Sequence, residues 1–412
     1  MRARATAIAV VFVANGLGGP SFLPRLPERQ AALGLSDAGL GLVLVGMALG
    51  ALAASPAAGR AVGRVGSRPV AVGGALAMAA SLWTAGAAPH PGVLFVALVG
   101  IGATDAAMDI AMNANGAAYE RVSGRSLMHR LHGAWSLGSL AAAGVAALLA
   151  AAGVSLTWHL LGVGIVVAAG ALASRRWLVA DDHLPDRHPA AAPASGVAET
   201  PPRPGPNPTR RRASRAAGPL VALAALTVAG AVIEGGPSDW SALRLERLGA
   251  GPGTAALGFA AFAAGMLAGR LTGDHLTDRH GGVAVLRGGM ALVAAGLLAG
   301  ALVDHPVVFA AGLVVAGVGA AGLFPLAFSA AATTPGVAPG TGAATVSLAA
   351  RLGFMAEPVL MGTLAELVGL RWAFAAVAGV AAAVAVAARR VLGPRVRLVG
   401  GDEGTIADLR TG

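Results

Sequence analysis

The chain has 412 residues, of which 56% are hydrophobic and 12% charged; a soluble domain carries about twice that share of charge, and the mean hydropathy of +0.70 agrees. This composition excludes a soluble enzyme and a disordered chain, and the absence of Cys excludes disulfides, thiolate catalysis, iron–sulfur clusters and Cys-based zinc sites. All 30 basic residues are Arg, so the Lys that a Walker P-loop, a Schiff-base enzyme or a protein kinase requires is missing.

Apolar runs of about 20 residues recur along most of the sequence, each long enough to cross a bilayer. They predict twelve spans, near residues 5–24, 37–58, 69–88, 92–115, 128–152 and 156–175, then 218–244, 253–272, 284–303, 306–330, 340–365 and 370–390. The first follows Arg2 and Arg4 in the manner of a signal peptide, but no soluble domain comes after it, so it reads as span 1. Between spans 6 and 7 the segment from Ser174 to Gly218 is rich in Pro, Ala and Arg, lacks an apolar period and reads as a flexible linker. The expected organisation is a six-helix half over 1–175, a cytoplasmic linker over 176–217, a second six-helix half over 218–391 and a cytoplasmic tail over 392–412.

The arginines set the orientation. With the N-terminus in the cytoplasm, only Arg25, Arg29, Arg244, Arg247 and Arg371 fall outside, Arg351 falls within span 11, and the remainder lie inside. That excess places both termini in the cytoplasm. The net charge of +10 is therefore a mark of topology, and no nucleic-acid partner is expected. Trp83, Trp158, Trp177, Trp240 and Trp372 fall near span ends, as an interfacial aromatic belt requires, whereas Trp135 lies deeper.

Two segments repeat. Gly59–Arg68, with Arg60, Arg64, Gly66 and Arg68, reads as the loop after span 2; Gly273–Gly281, with Asp278, Arg279 and Gly281, reads as the loop after span 8. Arg64-x-Gly66 aligns with Arg279-x-Gly281 at an offset of 215 residues, and the same offset lays Gly50 on Gly265. Glycine permits a tight turn that a β-carbon forbids, and the arginines are suited to holding helix ends and the facing half by charge-assisted hydrogen bonds. Internal symmetry of this kind marks parallel half-repeats in transporters.

These features resemble the major facilitator superfamily, whose loop pattern is G-x-x-x-D-R-x-G-R-R. The second copy keeps Asp278-Arg279-x-Gly281, while the first has Gly63 in the Asp position and Ser67 for one Arg. The resemblance implies an all-α membrane protein with twelve transmembrane helices in two pseudo-symmetric six-helix halves, the major facilitator fold, with the two loops as gates. Asp109-Ile110-Ala111-Met112-Asn113-Ala114 and Glu234-Gly235-Gly236-Pro237-Ser238-Asp239-Trp240-Ser241 resemble a bacterial branch related to fucose-permease-like sugar–proton symporters. Those symporters carry an acid and an Asn on span 4, matching Asp109 and Asn113; where they use an acid on span 1, this chain offers Asn15.

Ionisable groups inside a bilayer cost about 2.5–3.5 kcal/mol each on insertion scales and persist where they face a cavity or a partner. Asp105, Asp109 and Asn113, at i, i+4 and i+8, form one polar stripe on span 4. Two carboxylates one turn apart in low dielectric cannot both ionise cheaply, which is the property a proton-coupling site needs. Glu234 lies well inside span 7, where Pro237 frees backbone groups; Asp239, nearer the outer end, reads as solvated. Arg351 and Glu357 in span 11 are six residues apart, so each needs a partner on another helix or a water-filled cavity. Arg351 suits an acid across the cavity or an anionic substrate group. His129 and His132 open span 5; with no third ligand evident they do not read as a metal site, and His132 is placed to join a proton path. Gly317-Val318-Gly319-Ala320-Ala321-Gly322 matches G-x-G-x-x-G but lies inside span 10, where close helix packing explains it better than a dinucleotide.

The sequence thus predicts a secondary transporter, not an enzyme. It is a multi-pass protein of the cytoplasmic membrane that moves a small solute by alternating access, with protons as the expected driving ion and with no cofactor or metal. Asp105, Asp109, Asn113, Glu234, Arg351, Glu357, Trp135 and His132 are the candidates for proton coupling or substrate binding. Its expected partners are the lipid bilayer, a small-molecule substrate and protons, and it is expected to act as a monomer. The alternative from another class is a receptor or sensor on the same scaffold, which binds ligand without net flux; an intramembrane enzyme ranks last, because no nucleophile–base motif is present.

Overall fold

The computed structural model describes residues 2–124, 127–179, 208–334, 337 and 339–392. Most of the predicted linker (180–207), the tail from 393 onward and the side chain of His129 lie outside the described residues. In chain order, α1 (Arg2–Leu17) continues through two 3₁₀ turns (Gly19–Ser21 and Leu23–Arg25) into the short α2 (Leu26–Ala32). Then come α3 (Asp37–Val65), α4 (Ser67–Ala87), α5 (Pro91–Ser123), α6 (Met128–Ala151) and α7 (Leu156–Ser174). The second half holds α8 (Pro208–Arg247), α9 (Pro252–His280), α10 (Gly282–Leu302), α11 (Pro306–Ala320), α12 (Leu323–Ala332), α13 (Pro339–Val368) and α14 (Leu370–Leu392). Among the described residues 12 helical stretches are long and apolar enough to cross a membrane, with α1–α2 and α11–α12 each forming one. Large apolar side chains such as Leu148, Leu271 and Val386 point outward, an arrangement that suits lipid and not water.

Several helices outrun their predicted ends. α3 reaches Val65, α5 reaches Ser123 and α9 reaches His280. Hydropathy falls where Arg, His, Asp and Gly accumulate, but backbone hydrogen bonding carries the helix on past the apolar zone. The two repeated segments are therefore not loops. Arg60 and Arg64 ride on the last turns of α3, Arg68 on the first turn of α4, and Asp278 and Arg279 on the last turn of α9. The chain reverses at one residue in each case, Gly66 at φ 92° and Gly281 at φ 81°, where a β-carbon would be strained.

The 215-residue offset seen in the sequence governs the packing as well. Lipid supplies no hydrophobic drive between helices, so association depends on close backbone approach at small residues. Gly50 rests on Val99 of α5, and Gly265 rests on Val314 of α11. Gly102 rests on Met47 and Gly317 on Phe262; Gly138 rests on Val13 and Gly353 on Val228. Each pair is the other shifted by 215. His90 and His305 repeat too, each capping a helix that opens with Pro (Val93 N at 3.4 Å, Val307 N at 3.3 Å). Gly317 and Gly319 of the G-x-G-x-x-G run face α9 and α10, as packing glycines should. The symmetry fails where α11 gives way to α12 around Ala321–Gly322, whereas α5 runs unbroken past Asp105 and Asp109.

The halves meet firmly at one end. Arg247 of α8 donates to both carboxylate oxygens of Asp37 on α3, and Gln30 of α2 donates to Asp37 at 2.7 Å. Gly41 of α3 lies on the Pro358 carbonyl of α13, Gly362 of α13 lies on the Asp37 carbonyl, and Gly253 of α9 lies on Ala147 and Ala151 of α6. Ser36 caps α3 here, accepting from Gly39 N at 3.1 Å. Ser36→Ala is expected to destabilise α3 by about 1 kcal/mol, seen as a lower melting midpoint of the detergent-solubilised protein; an unchanged midpoint would show that the cap is redundant.

Candidate functional site

The predicted polar stripe of α5 lies at the interface with α1 and α6. Asn15 of α1, 2% exposed, donates from Nδ2 to Asp105 Oδ1 at 3.0 Å. Its Oδ1 accepts from Trp135 Nε1 of α6 at 2.8 Å. Asp105, Asn15 and Trp135 are thus one chain of hydrogen bonds across three helices. The bond to Asn15 satisfies the Trp135 N–H away from the membrane interface. One turn on, Asn113 Nδ2 donates to Asp109 Oδ1 at 2.9 Å. Asp109 is exposed between the halves and lies within electrostatic range of His132 and Arg351. His132 stands edge-on to Phe12, with ring centroids 5.5 Å apart.

The second half answers across a cleft with about 100 Å³ of free space, lined by Trp135, Ser139, Glu234, Ser238, Met266 and Arg270, among others. Arg270 of α9 stands 3.9 Å from Glu234 of α8. Arg351 Nη1 of α13 donates to Ser55 Oγ of α3 at 3.0 Å, so it bridges the halves. Arg270 is Ser55 shifted by 215, and Arg351 is Ser136 shifted by 215. Arg351 thus meets a first-half hydroxyl, while Arg270 pairs within its own half and lines the cleft beside Ser136 and Ser139. Trp135 belongs to the Asp105 chain and also walls the cleft that holds Glu234.

Several expectations are corrected. Among the described residues no carboxylate lies within ion-pair distance of Arg351; its partner is a hydroxyl, and Asp109 lies only within electrostatic range. Glu357 does not share Arg351's surroundings. It is 1% exposed, stacked over Gly235 of α8, and neither of its oxygens meets full hydrogen-bond geometry. Asp239 is half-buried beside Glu357 and is not freely solvated. Trp240 is wholly buried beside them and is not part of a belt, although Trp83, Trp158, Trp177 and Trp372 are exposed as expected. Arg244, the only cation near Glu234 in sequence, turns away to Asp304 at 2.6 Å. Hydropathy ends span 8 near residue 272 and leaves Arg270, the Glu234 partner, among the arginines that mark topology; on a helix that runs on to His280 it lines the cleft instead.

The predicted gating residues are separate from this centre. Arg60, Arg64, Asp278 and Arg279 are exposed at the end opposite Asp37 and Arg247. Arg68 Nη2 donates to the Leu178 carbonyl at 2.9 Å, tying the start of α4 to the segment after α7 within its own half. Gly66 and Gly281 supply the two sharp reversals.

The chain is similar to transport proteins along nearly its whole length. It is 28% identical over 383 residues to an uncharacterised MFS-type transporter of Yersinia pestis, covering 93% of this chain and 94% of that protein. It is 30% identical over 385 residues to the membrane protein MosC of Rhizobium meliloti, covering 93% and 88% respectively. Its fold resembles a bacterial homologue of the human lysosomal transporter Spinster in an inward-facing, unoccupied conformation (TM-score 0.72, 16% identity, 94% and 97% covered). It also resembles the nucleoside transporter NupG (TM-score 0.69, 13% identity, 96% and 100% covered). A family model described as Major Facilitator Superfamily matches residues 6–247 and 239–407. With twelve spans, a half-repeat expressed in its helix contacts and a polar centre between the halves, the chain is a membrane transporter and belongs to the Major Facilitator Superfamily.

Proposed function

We propose that this transporter is a proton-coupled secondary carrier of the cytoplasmic membrane, in which Asp105, Asp109 and Glu234 bind protons and Arg270 and Arg351 receive an anionic group of a small solute. The arginine distribution puts the Asp37–Arg247 end outside, so the arrangement is one with its outer end closed. The observation that carries the reading is Trp135, which is bonded through Asn15 to Asp105 and lines the cleft of Glu234 and Arg270. Acids inside a bilayer are kept where they work, and here they face a space shared by both halves. An ionised Glu234 competes for Arg270; a protonated one releases the guanidinium to a substrate anion. Proton and solute binding then depend on each other, and that dependence is reciprocal.

The test uses purified protein in liposomes loaded with a pH-sensitive dye. Nucleosides, sugars, amino acids and organic anions are added in turn under an imposed pH gradient. The wild type is expected to couple one class to proton movement. Asp109→Asn and Glu234→Gln are each expected to lower that flux by about tenfold or more, the scale of a typical coupling free energy. Unchanged flux in both variants would refute the site assignment; binding without flux or counterflow in the wild type would favour a receptor.

A further inference from the structure

We propose that Asp239 and Glu357 form a second proton-binding site, which latches the end of the molecule where Asp37 and Arg247 meet. The inference rests on the proton-coupled reading above but concerns different residues and a different step.

Neither buried carboxylate oxygen of Glu357 meets full hydrogen-bond geometry, nor does the buried Trp240 Nε1, although the Asp239 carboxyl and the Trp240 indole both lie close to Glu357. The groups that face Glu357 from α8 are the Asp239 carboxyl and the Trp240 indole. Among the described residues, the elements packed against α8 and α13 bring no ion-pairing cation to it. On α8 itself, Glu234 turns to Arg270 of α9, Arg244 to Asp304 and Arg247 to Asp37. On α3, Asp37 is held by Arg247 and Gln30. On α14, Arg371 pairs with Asp304, while Arg389 and Arg390 lie at the far end. On α13, Arg351 bonds Ser55 and Glu366 caps Ala38 N. From α2 and the turn before it, Arg25 pairs with Glu28 and Arg29 bonds the Gly86 and Ala88 carbonyls. α12 and the span of α11 carry no charge. Two ionised carboxylates in such a place have no counter-ion and only the Trp240 indole to offset them, and a buried charge without a counter-ion is costly. With this end closed, the pair therefore keeps a proton.

Its position makes the proton consequential. Each acid lies within two residues of a proline inside its helix, Asp239 after Pro237 in α8 and Glu357 before Pro358 in α13. A helix-interior proline removes a backbone hydrogen bond and lets the helix bend. Beyond those points the same two helices carry the closed end. α8 leads to Arg247, and α13 brings the Pro358 carbonyl onto Gly41 and Gly362 onto the Asp37 carbonyl, with the Trp240 ring filling the space a β-carbon on Gly362 would need. Loss of the proton adds charge that repels its neighbour and draws water in. Both effects push α8 and α13 apart at their prolines and open this end. By linkage the closed state binds the proton more tightly, so raising the pH opens the end and lowering it holds it shut.

The chain has no native Cys, so spin labels at Ala32→Cys and Thr254→Cys, exposed positions of opposite halves at this end, report its opening. Distances are measured in the full-length protein in lipid nanodiscs at about pH 5.5 and about pH 8.5, in sodium-free buffer. The long-distance population of the labelled parent is expected to grow about tenfold at the higher pH. Glu357→Gln, a permanently neutral isostere, is expected to stay short at both, and Asp239→Asn to lose most of the response. A merely structural Glu357 would give a variant loosened at both pH values, which would overturn the proposal, as would a wild-type response in both variants or a shift produced by sodium at fixed low pH. Should Glu357→Gln not give monodisperse protein, Asp239→Asn decides alone. A parent with no pH response whose solute flux still needs the pH gradient and Asp109 would sink the latch and leave proton coupling standing; a responsive end in a protein whose flux ignores Asp109 and Glu234 would do the opposite.

Discussion

A Gly102→Val chain is expected to yield little folded protein, and Gly317→Val is expected to do the same from the other half. A β-carbon at Gly102 would stand 2.9 Å from the Met47 Cα and closer still to its carbonyl; one at Gly317 would stand 2.8 Å from the Met266 backbone nitrogen. Both obstacles are backbone atoms of a neighbouring membrane-spanning helix, so no rotamer change relieves them. Overpacking a well-filled core typically costs 1–3 kcal/mol, and separating two helix backbones puts these substitutions at about 3 kcal/mol or more, since close approach is itself what joins helices in lipid. Gly73→Val is the control: Gly73 is exposed on α4 with nothing within 4 Å of its β-carbon position. Size-exclusion profiles of the solubilised proteins after graded heating measure the difference. If Gly102→Val and Gly73→Val lose their monodisperse peak at the same temperature, the contact between α3 and α5 is not what holds that half together.

Cutting the Asp37–Arg247 pair is expected to shift the conformational balance without unfolding the protein. Asp37 is 8% exposed and receives both Arg247 and Gln30, whereas the Arg247 side chain is 39% exposed. Water screens the outer side of that pair, so its loss is worth about 1–2 kcal/mol, well below a fully buried ion pair. That range changes an equilibrium about 5- to 30-fold. Arg247→Ala should therefore raise the rate at which a membrane-impermeant maleimide, added from the Asp37 side, reaches a single Ser139→Cys in the central cleft. The charge exchange Asp37→Arg with Arg247→Asp should recover much of the loss. Equal labelling in the wild type and Arg247→Ala backgrounds would mean that the glycine contacts at Gly41 and Gly362 hold the end closed by themselves.

The twelve spans and the half-repeat were legible because they are one-dimensional properties. Apolar run length is set by bilayer thickness, and Gly66 and Gly281 mark equivalent reversals at equal spacing in each half. The Asp105–Asp109–Asn113 stripe was legible for a similar reason, since a helix puts i and i+4 on one face, and Asn113 does bond Asp109.

What the amino-acid order determined alone was thus the membrane as solvent, the number of crossings, the doubled architecture and the presence of costly charges within it. Which charges meet was decided only by tertiary structure, because partners on different helices lie far apart along the chain and helix rotation about its own axis leaves no mark in hydropathy. Arg270 became the partner of Glu234 because α9 outlasts its apolar run. Among the described residues Arg351 found Ser55 and no ion-paired acid, and Asp239, Trp240 and Glu357 were brought together through the packing of α8 on α13. In a bilayer the sequence states that a charge must be sheltered; only the fold says by what.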